Sequence, residues 1–220
     1  NLWGQNENRA TPMMQYLLSR GLQEETIKTF RVGFAPDSWD SLLNHLLNKG
    51  FRSSDIEKAG LIIKKSDTPT EVSSRQHYDR FRSRIMFPIT DTQGRVIAFG
   101  GRIFGTSDTE GAKYINSPET LVYSKSRVLY AFDKAKSAIR EKNECVLVEG
   151  YIDTVMAHQA GLKHTVAVSG TALTPEQLHL IQRLSEKIVF AFDMDSAGQS
   201  ATRRSLDRAV ELGIERKILL

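Results

Sequence analysis

The spacing of hydrophobic and polar residues predicts a helical beginning to the chain. The first fifty-odd residues contain short segments whose apolar residues have helical spacing, and glycines end these segments. Thr11 is the predicted N-cap of the first helix, with Pro12 at its first helical position and Gly21 as its end. A second helix, for which Asp37 or Ser38 is the predicted N-cap, carries Trp39 among leucines, which predicts a core position for that tryptophan. A third short helix is predicted around Ile56.

The middle of the chain changes to a two-residue period. Residues 65–77 are polar and turn-rich, which predicts a surface loop. Phe81, Ile85, Phe87 and Ile89 then fall on one face of an extended segment, with Ser83 among them, so they predict the buried face of one strand. The opposite face of that strand would carry three basic residues, Arg80, Arg82 and Arg84. A hairpin turn is predicted at 91–94 and a helix over 128–140.

The last eighty residues alternate between strands and helices. Strands are predicted at 145–148, 165–168, 188–192 and from residue 217, and the helices between them at 152–160, 174–185 and 199–212. Residues 174–177 have the sequence of a capping box, with proline at the first helical position. This alternation predicts βαβ units and a parallel sheet. The predicted fold class is therefore α/β, with a mixed α+β subdomain over 1–140 and a parallel βαβ domain over 141–220.

Four carboxylates follow two of the predicted parallel strands. Glu149 and Asp153 come after the first strand, and Asp193 and Asp195 come after the third. Ligands bind at the carboxyl ends of strands in such sheets, and clustered carboxylates repel one another unless a cation neutralises them. Mg²⁺ prefers hard oxygen ligands. The pattern favours a metal site, and the alternative is that Asp193 and Asp195 cap the next helix.

Composition and charge narrow the class of protein. The 220 residues are 40% hydrophobic and carry a net charge of +4, divided into +6 over residues 1–140 and −2 over 141–220. This division favours a polyanion-binding part followed by a metal-binding part. No apolar run is long enough for a membrane span, and no signal peptide is visible. The single cysteine, Cys145, excludes an internal disulfide or zinc ribbon, predicts a buried core residue and fits a cytoplasmic location.

Several motifs carry a resemblance to a known family. Residues 149–153 (EGYID) and 193–198 (DMDSAG) resemble the Toprim domain of primases, topoisomerases and some nucleases. Further motifs resemble the RNA polymerase core of the bacterial replicative primases, the DnaG family, in matching order. They lie at 20–22 (RGL), 32–36 (VGFAP), 78–89 (YDRFRSRIMFPI), 99–102 (FGGR) and 113–120 (KYINSPET).

The resemblance implies a DNA primase, which synthesises short RNA primers on single-stranded DNA by metal-dependent nucleotidyl transfer. Glu149, Asp193 and Asp195 would hold Mg²⁺, with Mn²⁺ as an alternative, and Asp153 would assist catalysis. The implied partners are single-stranded template, ribonucleoside triphosphates, the RNA–DNA hybrid and the replicative helicase, at the replication fork in the nucleoid. No membrane partner and no zinc in this part of the chain are expected.

Basic residues would hold the phosphates of these partners. Three arginines at period two suit a nucleic-acid backbone, although a solvated strand face has the same pattern. The resemblance adds four basic positions implicated in handling template or nucleoside triphosphate. The expected nucleic-acid and nucleotide-binding residues are Arg20, Arg80, Arg82, Arg84, Arg102, Lys113 and Lys125.

The sequence also departs from the family pattern. Met194 stands where primases usually have glycine, and the chain stops inside its final strand, before a further acidic cluster of the family. The zinc-binding domain that precedes the core and the helicase-binding domain that follows it are also absent. We therefore expect a truncated polymerase core that is weak or inactive alone.

Three other functions share part of this pattern. A topoisomerase or Toprim nuclease would share the acidic residues, but a topoisomerase also needs a nucleophilic tyrosine in a separate domain. A phosphatase of the haloacid dehalogenase type has Asp-x-Asp after a strand, usually the first strand of its fold. The chain could also bind single-stranded DNA without catalysis.

Overall fold

The chain is divided into two compact units. A computed structural model describes residues 7–65, 76–105, 112–168, 173–192 and 215–218. One unit comprises Asn1–Pro88 and Ala98–Tyr123, and the other comprises Ile89–Ile97 and Ser124–Leu220. No helix within the described ranges has the length and apolar character needed to cross a membrane.

The first part of the chain combines four short helices with two antiparallel arrangements of strands. A sheet has the order β1-β4-β5-β6, with β1 and β4 antiparallel and β5 and β6 antiparallel, and β2 pairs with β3. The helices are α1 (Glu7–Ser19), α2 (Glu24–Thr29), α3 (Ser41–Asn48) and α4 (Ser53–Lys58). The strands are β1 (Gly33–Ala35), β2 (Ile62–Lys64), β3 (His77–Asp79), β4 (Arg84–Thr90), β5 (Val96–Ile103) and β6 (Tyr114–Asn116).

The predicted start of the first helix is wrong. Helix α1 begins at Glu7, so Pro12 lies inside it and Thr11 is not its N-cap. The predicted end is confirmed, because Gly21 has a φ of 87°, which favours glycine. Most of the predicted loop over 65–77 lies outside the described residues, but His77 already belongs to β3.

The predicted hairpin turn is confirmed and is held by one aspartate. The Asp91 carboxylate accepts hydrogen bonds from the backbone N–H groups of Gln93 and Arg95, at 2.9 and 3.0 Å. Gly94 has a φ of 84°, which a residue with a side chain rarely adopts. Local turn chemistry of this kind can be predicted from sequence because all its partners are neighbours along the chain.

The second part of the chain forms the predicted parallel sheet. Its elements are α5 (Phe132–Lys142), β7 (Glu144–Val148), α6 (Tyr151–Gln159), β8 (Thr165–Ala167), α7 (Pro175–Gln182), β9 (Lys187–Phe190) and β10 (Glu215–Ile218). The strand order is β10-β9-β7-β8, and all three pairings are parallel. The helix predicted over 199–212 lies outside the described residues.

The hydrophobic core of this sheet is built from continuous apolar strands. Cys145, Leu147, Val166, Ile188 and Phe190 are all completely buried within one cluster. Strands covered on both faces show such unbroken apolar runs. The predicted core position of Cys145 is therefore confirmed, and burial raises the pKa of its thiol.

Candidate functional site

Glu149 lies at the carboxyl edge of the parallel sheet. It follows β7 directly, is partly exposed and precedes Gly150, the N-cap of α6. Strand β7 lies in the interior of the sheet between β8 and β9. The sequence therefore places a carboxylate where open α/β sheets bind their ligands.

Gly150 makes room for a second carboxylate. Its φ of −119° is accessible to any residue, so the backbone conformation does not require glycine here. A Cβ at this position would instead lie 2.7 Å from Oδ2 of Asp153. Asp153 is exposed in the first turn of α6, where the helix dipole favours a negative charge. The glycine thus lets the Asp153 carboxylate lie against the backbone next to Glu149.

The strand that leads to the other predicted ligands is the direct neighbour of β7. Leu147 of β7 pairs with Phe190 of β9 in parallel register, so both strands end at the same edge. Asp193 and Asp195 lie outside the described residues. Within the described ranges no three histidine, cysteine or acidic side chains form a group that could hold a metal.

The three alternating arginines do not share one strand face, and that prediction is wrong. Strand β3 ends at Asp79 and β4 begins at Arg84, so Arg80 and Arg82 lie between strands. Ser83 has a φ of 48°, in the left-handed region, which interrupts the extended backbone. The three side chains consequently enter three different environments.

Arg82 stacks on two aromatic rings. Its Cζ lies 4.2 Å from the ring centroid of Trp39 and 5.2 Å from that of Tyr78. Its Nη1 also donates to the carbonyl of Asp79. Trp39 is 61% exposed, so its predicted core position is wrong. The surface formed by Arg82, Trp39 and Tyr78, here named the aromatic–arginine stack, combines a cation with a largely exposed indole ring. Proteins that bind single-stranded nucleic acid use both kinds of group.

Arg84 is buried and holds backbone carbonyls. Its Nη1 donates to the carbonyl of Gly101 at 3.1 Å and to that of Lys113 at 3.5 Å, while Nη2 donates to that of Ala112 at 3.1 Å. Burial lowers the pKa of the Arg84 guanidinium, and the charge of Arg82 lowers it further. Its hydrogen bonds are thus directed into the protein, onto the segment that carries Lys113.

Gly101 allows this arginine to pack. A Cβ at position 101 would lie 2.9 Å from the ring of Phe81 and 3.0 Å from Cδ of Arg84. Phe81 and Phe87 are both buried, which confirms their predicted core positions. The second glycine of the motif at 99–102 therefore serves the packing of the motif at 78–89.

The remaining basic residues differ in exposure. Arg20 is exposed directly after α1, and Lys113 is exposed directly before β6. Arg102 is partly buried, with its Cζ 5.3 Å from the ring centroid of Tyr16 and its Nη1 donating to its neighbour's carbonyl. Arg80 is also partly buried, burial lowers its pKa, and its Nε has no hydrogen-bond partner among the described residues.

Lys125 belongs to the second unit. It is partly exposed and begins a single 3₁₀ turn, Lys125–Arg127, whose backbone contacts the start of α7. His158 is half-buried, and its Nε2 lies 2.8 Å from the carbonyl of Thr165. That histidine therefore has a structural partner in this unit, whereas His179 is exposed.

Comparison with known proteins decides the family. The family described as "DNA primase catalytic core, N-terminal domain" matches residues 4–136. The chain belongs to the DNA primase catalytic-core family. A Toprim-like family matches residues 146–220, so the predicted boundary near residue 140 lies between the two matches.

Individual relatives agree with this assignment. The DNA primase of Synechococcus elongatus is 43% identical over 205 residues, which cover 92% of this chain and 28% of that protein. The RNA polymerase domain of Mycobacterium tuberculosis primase DnaG has a TM-score of 0.84 at 35% identity, over 97% of this chain and 69% of that one. A DnaG catalytic domain bound to single-stranded DNA has a TM-score of 0.82 at 36% identity, over 97% of this chain and 64% of that one. The chain spans less than a third of the curated relative's length.

Proposed function

We propose that this chain joins ribonucleotides into RNA primers on a single-stranded DNA template. The observation that carries the proposal is the position of Glu149, which directly follows an interior strand of a parallel sheet and precedes Gly150, the residue against which the Asp153 carboxylate lies. Nucleotidyl transfer is achieved mainly by positioning and by neutralisation of charge. A carboxylate pair at the ligand-binding edge of the sheet suits that chemistry.

Glu149, Asp193 and Asp195 would hold Mg²⁺ or Mn²⁺, with Asp153 assisting. The donor set fits, because Glu149 is partly exposed, Asp153 is exposed and both offer hard oxygen ligands. A metal held by these residues would supply activation of the 3′-hydroxyl and stabilisation of the leaving pyrophosphate. The chain's own contribution is to hold the acidic side chains at one edge, where Gly150 gives Asp153 the space that it needs.

The basic residues would bind the phosphates of template and ribonucleoside triphosphate in two different ways. Direct contact is proposed for exposed or partly exposed side chains, namely Arg20, Arg80, Arg82, Arg102, Lys113 and Lys125. For Arg84 we propose an indirect contribution, since its guanidinium holds the carbonyls of Ala112 and Lys113. The aromatic–arginine stack would support one template base on Trp39. The proposed partners of the whole protein also include the RNA–DNA hybrid and the replicative helicase, at the replication fork.

Primer synthesis with a conservative variant tests the metal-binding role. Glu149→Gln keeps the side chain's shape and removes its charge, so we expect RNA synthesis from ribonucleotides to fall by about 100-fold or more. Glu141→Gln is the matched control, since Glu141 is an exposed glutamate in α5 of the same unit. The assay uses a single-stranded template with Mg²⁺ or Mn²⁺, on this chain and on one continued past Leu220.

The products of the same assay separate the competing functions. Short RNA indicates a primase, cleavage of the template indicates a Toprim nuclease, and a shifted template band alone indicates a binding module. If the Glu149→Gln variant synthesises RNA as fast as the parent chain, the proposed metal-binding role of Glu149 is refuted.

A further inference from the structure

A capping box at the start of α7 is joined to the 3₁₀ turn of Lys125. Gln177 is completely buried. Its Oε1 accepts a hydrogen bond from the backbone N–H of Thr174 at 3.1 Å, which closes the capping box. Its Nε2 donates to the carbonyls of Lys125 and Val128, at 3.1 and 2.8 Å. One amide therefore serves both the helix and the turn.

The other half of the capping box repeats this arrangement. The Thr174 hydroxyl accepts from the backbone N–H of Gln177 at 3.2 Å and donates to the carbonyl of Ser126 at 2.5 Å. A capping box normally satisfies only the orphan N–H groups of its own helix. Here the two remaining donor groups hold three carbonyls of the segment 125–128. A single 3₁₀ turn has little stability of its own, so these bonds determine its position.

We propose that Gln177, together with Thr174, is a positioning residue that places Lys125 for contact with a phosphate group. This inference rests on the proposed function, in which the Lys125 ammonium binds a phosphate of the template or of a ribonucleoside triphosphate. Gln177 itself is buried and touches neither partner. It acts through the backbone of Lys125, from which the charged side chain extends.

Binding measurements on four variants test this linkage. Gln177→Glu retains an oxygen acceptor for Thr174 but replaces the amide donor with an oxygen that faces two carbonyls. It is compared with Lys125→Ala, with the double variant and with Gln182→Glu, an exposed glutamine of the same helix. The probes are a fluorescent single-stranded oligonucleotide over a range of salt concentrations and, separately, ATP, so that the two sources of phosphate are distinguished.

A positioning role has a specific signature in these data. If the phosphate belongs to the template, Lys125→Ala lowers the slope of log affinity against log salt by about 0.7, the value for one contact on a single strand. Gln177→Glu then lowers the slope towards the same value, and the double variant matches Lys125→Ala. If the phosphate belongs to the nucleotide, the same relation holds for the dissociation constant of ATP. The Gln182→Glu variant binds both probes like the parent chain.

Two results overturn the inference, and they are distinguishable. If Lys125→Ala weakens neither probe, the proposed role of Lys125 fails and the inference fails with it. If Lys125→Ala weakens the binding of one probe but Gln177→Glu does not, only the inference fails. It also fails alone if the affinity loss of the double variant is the product of the losses of the two single variants, since the two residues then act independently. Should Gln177→Glu not fold, judged by thermal unfolding, the isosteric Gln177→Met replaces it and is held to the same comparison.

Discussion

Three arginines with identical spacing have three different physical roles in the first unit. Arg84 is buried against carbonyls, Arg82 stacks on the rings of Trp39 and Tyr78, and Arg80 is partly buried with no partner for its Nε among the described residues. Alternation in the sequence predicted one shared face, because the positive φ of Ser83 cannot be read from a serine. Residue identity was therefore a poor guide to which arginine is accessible.

Replacement of these arginines separates folding from binding. We expect Arg84→Met to lower the free energy of unfolding by about 2 kcal/mol, because three carbonyls lose a charged donor. Arg82→Met removes an exposed cation–π contact and costs under about 1 kcal/mol. Urea unfolding of both variants measures the difference. Equal losses would contradict the distinction between the buried and the stacked arginine.

At the scale of elements, helix α3 is capped from a distant part of the chain. The Asp79 carboxylate accepts hydrogen bonds from the backbone N–H groups of Leu42 and Leu43, at 2.8 and 3.0 Å. The sequence predicted a local cap at Asp37 or Ser38, and that prediction is wrong. A partner 36 or 37 residues away leaves no local signal, whereas the capping box at Thr174 is local and was predicted correctly.

Loss of this distant cap destabilises the first unit. We expect Asp79→Ala to reduce the free energy of unfolding by about 1–2 kcal/mol at pH 7, since two N–H groups at the helix start lose their acceptor. Asp55→Ala is the control, because the Asp55 carboxylate forms a solvent-exposed salt bridge with Arg52 at 2.8 Å. Denaturant unfolding followed by circular dichroism measures both, and a larger loss in Asp55→Ala would refute the role of Asp79.

The same carboxylate gives stability an unusual pH dependence. Burial raises the pKa of Asp79, and this outweighs the opposing effect of its two backbone hydrogen bonds. The folded state then binds a proton more tightly than the unfolded state. The stabilisation that comes from this proton adds to that of the cap, is fully present below the ordinary carboxyl pKa and is lost as pH rises through the raised one. The stability advantage of the parent chain over Asp79→Asn should therefore shrink with rising pH. An advantage that grows with pH would show that the hydrogen bonds dominate.

At the scale of the whole molecule, the sequence predicted the second half of the chain better than the first. Alternating apolar strands and helices specify a parallel sheet through a period that is visible locally, and β7, β8 and β9 confirm it. In the first half, β1, β2 and β3 have three residues each, too few for a period to appear. The place of Glu149 at the sheet edge could be predicted because it follows directly from the strand that precedes it, but the aromatic–arginine stack depends on contacts across unrelated segments.

The charge distribution over the molecule leads to a last prediction, for template binding. Residues 1–140 carry a net charge of +6, so affinity for a single-stranded oligonucleotide should fall steeply with salt. Arg82→Gln should lower that salt slope by about 0.7 if its guanidinium meets a phosphate. Trp39→Ala should weaken binding by about tenfold with an unchanged slope, since stacking involves no counterion release.

The comparison needs an exposed aromatic control in different surroundings. Phe51 is 54% exposed, close to the 61% of Trp39, but among the described residues no cation stacks on it, whereas Arg82 lies over Trp39. If template binding requires the aromatic–arginine stack, Phe51→Ala binds like the parent chain while Trp39→Ala does not. Equal losses in the two variants would mean that exposed aromatic area alone attracts the strand. If the affinity does not depend on salt, the basic residues within 1–140 do not bind the phosphates of the template.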